Sequence, residues 1–163
     1  MEEQGYIELK VTNKDNTLGP KDIDINEIKD FISDVESFLY PNRKEKLNRP
    51  HISYAIEEGS AKHKFFLPFS AVILFNGLTD EIRKRNNLDF LDYKRQSIID
   101  KFQKKAIKEN YVIEFNNSMT NEPSLIIDYS TNFEMIAPAF YESEFYLYGE
   151  IYQEGGKKPN LHI

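Results

Sequence analysis

The sequence predicts an α+β domain: a mixed, mainly antiparallel sheet with about three helices, in the order β-α-β-β-α-α-β-β-β-β. Three observations predict it. Apolar residues alternate with period two at the start of the chain and again throughout the region beyond Asn110, the pattern of half-buried strands. Between these regions lie stretches whose apolar residues recur with the spacing of one helical face. The connectors between many elements are of hairpin length and the late strands are consecutive, which favours antiparallel pairing over a β-α-β array.

The elements follow in order. Gly5 to Val11 places Ile7, Leu9 and Val11 on one face and Glu8 and Lys10 on the other, which reads as a strand. After the turn-rich NKDNTLGPKD, Asp24 precedes Ile25, Ile28, Phe31, Ile32, Val35, Phe38 and Leu39, a helical face over about 25–39, and Glu27 three residues on suggests a capping box. The helix stops before Pro41, and NRKEKLN reads as a polar loop. In RPHISYAIEEGSAKHKFF, Ile52, Tyr54 and Ile56 alternate with His51, Ser53 and Ala55, and His63, Phe65 and Leu67 share a side of the next run. This predicts a β-hairpin with Glu57 to Ser60 as its turn and Gly59 supplying a positive φ or a bulge. Ser70 begins a second helix containing Val72, Ile73, Phe75, Leu78 and Ile82. A third runs from about Asp89 to Lys108 with Leu91, Ile98, Phe102 and Ala106 inward. YVIEF, SLIIDY, NFEMI and a long run from Phe140 to Tyr152 complete the strands, divided by turn-forming residues in NNSMTNEPS and ended by QEGGKKPN.

The chain of 163 residues suits a single domain, 1–163, able to bury roughly 70% of its unfolded surface. A composition shift near residue 110 suggests a C-terminal β subdomain at 110–163, but no Gly/Ser or Pro linker divides the two. Twelve Phe and ten Tyr supply large buried areas per side chain. Cysteine is absent, which excludes a disulfide scaffold, a thiolate metal site and a cysteine nucleophile, and points to the cytoplasm. MEEQGYIELKV has no basic and apolar leader, and no apolar run is long enough to span a bilayer, so neither export nor membrane insertion is expected. EGGKKPN turns and LHI opens a returning strand as the sequence ends, so further sequence is expected beyond Ile163.

Two patches of surface charge stand out. Residues 83–108 hold nine Lys and Arg against three Asp, within a chain of net charge −6. Arg83, Arg85, Lys101, Lys104, Lys105 and Lys108 are candidate contacts for nucleic-acid phosphates or an acidic protein, against the ordinary reading of a solvated helix face. No helix-turn-helix, zinc-finger or RNP pattern accompanies them. On the last strand, Glu142, Glu144, Tyr146, Tyr148, Glu150 and Tyr152 share one face, an adhesive surface of the kind interfaces use or an ordinary sheet face covered by further chain.

The hairpin carries the catalytic candidates. His51, Glu57, Glu58 and His63 could bring two or three metal ligands together if the register suits. Alternatively, Glu57 or Glu58 could pair with His63 and lock the turn. HISY at 51–54 resembles the His-x-Ser/Thr-x element of the two-histidine phosphoesterases. That resemblance implies general acid–base attack on a phosphodiester by two converging histidines. His63 and His162 do not complete a second copy of the element. No P-loop, dinucleotide, nucleophile-elbow or H-E-x-x-H pattern is present. Everything chemical about the stretch depends on whether His63 shares a face with His51.

ISYAIEEGSAKHKF at 52–65 and YGEIYQEGGKKPNLHI at 148–163 are similar to segments of a family of bacterial proteins bearing ISY-x-IEEGS-x-x-H-x-F and GGK-x-x-N-x-H. The resemblance implies bacterial origin and a shared fold, with no activity attached. Taken together, the expectation is a non-catalytic binding or regulatory module of a bacterial cytosolic system, such as a toxin–antitoxin or phage-defence accessory. It would act on another protein, with homo-oligomerisation a further option and no cofactor. An enzyme using His51, His63, Glu57 and Glu58, or a nucleic-acid binder using 83–108, are the alternatives.

Overall fold

A computed structural model describes residues 3–135. Strand β1 (Gln4–Asn13) leads through a 3₁₀ turn to helix α1 (Ile25–Leu39), a short α2 (Arg43–Asn48) and the hairpin of β2 (Ser53–Glu57) and β3 (Ala61–Pro68). Helices α3 (Phe69–Arg85) and α4 (Tyr93–Glu109) follow, then β4 (Tyr111–Asn117) and β5 (Leu125–Ile127). The five strands form one sheet in the order β2-β3-β1-β4-β5, and every adjacent pair is antiparallel. The predicted α+β class is therefore the observed one. Both β3 and β4 run against β1, so they are parallel to each other with β1 between them, and β2 is likewise parallel to β1 across β3. These two interleaved split β-α-β units follow the ferredoxin-like β-α-β-β-α-β plan, with additional helix in both crossovers and an extra edge strand.

Alternation sorts the side chains as the sequence predicts. Ile7, Leu9 and Val11 on β1, Ala61, Phe65 and Leu67 on β3, and Ile113 and Phe115 on β4 are buried on the inner face. The three long helices cover that face with Phe31, Val35 and Phe38, with Val72, Phe75 and Ile82, and with Ile98, Phe102 and Ala106. A chain of phenylalanines links the layers. Phe31 stacks on Phe102 at 6.0 Å, Phe102 meets Phe115 edge-on at 5.5 Å, and Phe75 contacts both Phe115 and Phe38 at 6.1 Å. Each such ring stabilises the fold by about 1.5–3 kcal/mol through burial.

On the other face the strands pair charge against charge. Lys10 stands opposite Glu114, with Nζ 3.2 Å from Oε2, and Glu8 stands opposite Lys64 at 3.8 Å. Lys64 lies 4.5 Å from the centroid of the Tyr6 ring, and Tyr6 meets Phe66 edge-on.

Several local expectations are corrected. NRKEKLN is helix α2, not a loop: the Asn42 side chain accepts from Glu45 N at 2.9 Å while Glu45 Oε2 accepts from Asn42 N at 3.3 Å, a capping box that a charged, loop-like composition concealed. Asp24 caps α1 as expected, accepting from Asn26 N, but Glu27 does not complete a box. It accepts instead from the Tyr111 hydroxyl and lies 3.6 Å from Lys105 Nζ. Helix α4 starts at Tyr93, after Asp92 caps the Arg95 amide. The stretch 131–135, expected to open the strand NFEMI, is irregular: Asp128 gathers Ser130 and Thr131 into a turn, and Gln103 holds Phe133 through both its N–H and its C=O. The strand expected over 140–152 lies outside the described residues.

Gly5 and Gly77 give a direct check on this packing. A Cβ at Gly5 would meet Ser118 Oγ at 2.6 Å and Val72 Cγ2 at 2.9 Å, whereas Gly77, exposed within α3, has nothing within 4 Å. Gly5→Ala is expected to destabilise the protein by about 1–3 kcal/mol. Gly77→Ala is expected to stabilise it by about 0.5–1 kcal/mol by removing glycine's backbone freedom from a helix. Urea denaturation midpoints of the two variants should move in opposite directions.

Candidate functional site

The hairpin forms where alternation predicts it. Gly59 has φ +104°, a conformation that L side chains rarely adopt, so the chain reverses between β2 and β3 without strain. Register then decides the fate of the candidates. Ile56 stands opposite His63, Tyr54 opposite Phe65, and Glu57 opposite Lys62. His63 therefore belongs to the inner face and is fully buried, while His51 precedes β2, has the other parity and is exposed. The structure does not bring the two histidines together.

Neither glutamate reaches His63. Glu57 points to the outer face, where its carboxylate accepts from Lys64 Nζ at 2.7 Å, and this hydrogen bond lowers its pKa. Glu58 is exposed in the turn. The expected His63–glutamate lock is thus replaced by a Glu57–Lys64 pair on the opposite face, because the parity of β3 separates residues 63 and 64. Among the described residues no group of three or more His, Asp or Glu side chains is placed to hold a metal ion.

His63 has a different partner. The Tyr54 hydroxyl lies 2.9 Å from Nδ1, and the imidazole packs 4.8 Å from the Phe31 ring. With the hydroxyl donating, the ring proton sits on Nε2, which has no hydrogen-bond partner among the described residues. Burial in this apolar setting holds the His63 pKa down at about 4, because the charged form is denied water. Burial also raises the Tyr54 pKa.

The basic segment is largely balanced. At the end of α3, Arg83 and Lys84 both pair with Asp80, and Arg85 pairs with Glu81. On α4, Lys101 pairs with Asp34 at 2.8 Å, Lys104 with Asp100 at 2.7 Å, Lys105 with Glu27 and Lys108 with Glu109. Burial raises the Asp34 pKa, which the Lys101 hydrogen bond opposes. Arg95 has a structural task that its sequence context did not signal. It donates to the Phe38 and Leu39 carbonyls at 2.7 and 3.2 Å, satisfying the C-terminal end of α1. Most of these cations pair with a carboxylate of their own helix, while Lys101, Lys105 and Arg95 reach across to α1. Glu142, Glu144, Tyr146, Tyr148, Glu150 and Tyr152 lie outside the described residues.

One surface was not singled out in the sequence. Among the described residues β2 pairs only with β3, so it is an edge of the sheet. Beside it Ile32, Val35, Glu36, Arg49, Ile52, Tyr54 and Phe65 line a mainly apolar recess of about 160 Å³. Arg49 Nε donates to Glu36 at 2.6 Å and closes one wall. Ile32 and Ile56 remain 37% and 38% exposed, although the sequence pattern assigned Ile32 to the covered face of α1. A wider concavity of about 630 Å³ lies near the other edge, between Arg83 and the segment 122–133. No family model, curated protein or solved structure matches the chain.

His63 imposes a pH dependence. Its folded pKa of about 4 lies below the 6.5 of an unperturbed histidine, so the unfolded chain binds the extra proton first. The stabilisation is complete above about pH 6.5 and is lost as pH falls from there towards 4. Between pH 7 and pH 5 the loss from this residue is about 2 kcal/mol. Denaturant titrations at the two pH values should show this slope in the native chain and a flatter one in His63→Leu.

Proposed function

We propose that the protein is a non-catalytic binding module that engages another polypeptide by adding it as a strand alongside β2. The observation that supports this is the character of that edge. Natural sheet edges are commonly blunted with Lys, Pro or a bulge, yet β2 is SYAIE, with one charge already engaged by Lys64. An extended segment could pair with the backbone groups that no described strand engages, while an alternate side chain enters the Ile32–Ile52–Tyr54 recess. Main-chain bonds would supply affinity and the recess selectivity. The balanced charge of α3 and α4 shifts weight away from the nucleic-acid alternative, and the separation of His51 from His63 shifts it away from the phosphodiester alternative. A bacterial cytosolic setting, with a regulatory role of the toxin–antitoxin or phage-defence kind, is part of the same proposal. The cysteine-free composition suits such a reducing compartment.

Site-specific photo-crosslinking tests the reading in cells expressing the chain. A crosslinking residue at position 56 should yield a discrete covalent product with a polypeptide, and the same residue at exposed position 107 on α4 should not. Equal products from both positions, or none from either, would sink the proposal.

A further inference from the structure

We infer that the segment received at β2 is β2 of a second copy of this chain, the two sheets joining across a two-fold axis at Ala55. The inference rests on the reading of β2 as the binding edge and goes further by naming the occupant. Strand β2 has five residues, Ser53–Glu57. Laid antiparallel on itself with every residue paired, it has its centre at residue 55. Ala55 then faces Ala55 of the second copy, Tyr54 faces Ile56, and Ser53 faces Glu57.

Each of these pairs is favourable or neutral. Tyr54 against Ile56 is an aromatic–β-branched cross-strand pair, formed twice by symmetry. Ala55 against itself brings two methyl groups together without a clash of charge. The Ser53 hydroxyl can donate to the Glu57 carboxylate of the other copy, and no like charges stand opposite one another. Because Tyr54 and Ile56 both lie on the helix-bearing face, α1 from each copy flanks the seam on the same side. Ile32 is part-exposed beside the recess, and Ile25, two turns earlier on the same helical stripe, is 76% exposed. A specific interface needs about 800 Å² per partner. A strand of five residues falls short of that alone, and the α1 stripe is the adjoining apolar surface that would make up the area.

The opposite edge explains why the assembly would close. Strand β5 has three residues, Leu125–Ile127, with Pro123 ahead of it and the Asp128 turn behind. Pairing β2 with β5 would be heterologous and open-ended, whereas β2 with itself is isologous and ends at two copies.

Sedimentation velocity over a concentration series, with hydrogen exchange of the amides at 53–57, tests this on the full chain. The expected result is a doubling of mass with concentration, accompanied by concentration-dependent protection of those amides. Ala55→Lys and Ala55→Glu each set like charges opposite themselves and should each weaken association about tenfold or more. An equimolar mixture of the two variants should restore it, a rescue that misfolding would not show. A monomer whose outward amides exchange freely would overturn the dimer and leave the binding-edge reading standing. A monomer with those amides protected at every dilution would mean that the edge is covered within the chain, and would overturn both. A dimer indifferent to residue 55 would place the seam elsewhere and overturn this inference alone.

Discussion

Everything in this structure is arranged around β1, which is paired for most of its length with β3 on one side and with β4 on the other. Its backbone polar groups are thereby satisfied from two directions while Ile7, Leu9 and Val11 are driven fully into the core. Unpaired backbone groups in such a place would each cost about 1–3 kcal/mol, so the two ladders and the burial depend on each other. The partners come from far along the chain: Ile7 meets Phe65 and Asn117. The intervening helices must therefore lie on one face of the sheet, and the phenylalanine chain from Phe38 to Phe31 fills the space they enclose.

Charge and polarity in this protein mostly hold elements in position. Lys101 and Lys105 join α4 to α1, Arg95 completes the end of α1, and Gln103 fastens Phe133 to α4. Thr79 and Ser124 share a buried hydrogen bond of 2.6 Å that fixes the start of β5 against α3. His63 is the costlier member of the set. Its Nδ1 is satisfied by Tyr54 and its ring packs on Phe31, while Nε2 has no hydrogen-bond partner among the described residues. The imidazole is therefore held neutral, and folding is linked to pH through a residue that the histidine count alone would have nominated for catalysis.

Much of the architecture was legible in the residues. The alternation of β1, the apolar face and Asp24 cap of α1, and the hairpin with Gly59 at its turn are all local patterns with periods of two or 3.6 residues. Legibility ended where a side chain had a choice of partners. Glu27 sits where a capping box would use it, but Tyr111 and Lys105 claim it. NRKEKLN reads as a loop by composition, yet Asn42 and Glu45 cap it into a helix. The hairpin candidates show the same limit. A shift of parity between residues 63 and 64 separates a buried histidine from a lysine that takes Glu57, and the alternation that puts His63 with Phe65 and Leu67 does not say that Tyr54 will be its partner.

The sequence by itself determined the layers: which residues of each strand are apolar, where the three long helices run, and that most strands would pair antiparallel. Those features follow from spacing between near neighbours, which any short window contains. Only the tertiary structure decided that β2 lies at an edge of the described sheet, that Ile32 borders a recess there, and that Lys101, Lys105 and Arg95 reach across to α1. These are relations between segments tens of residues apart. Strand order and ion pairing are settled by competition among many partners of similar local chemistry, and the winner depends on how the whole inner face is filled.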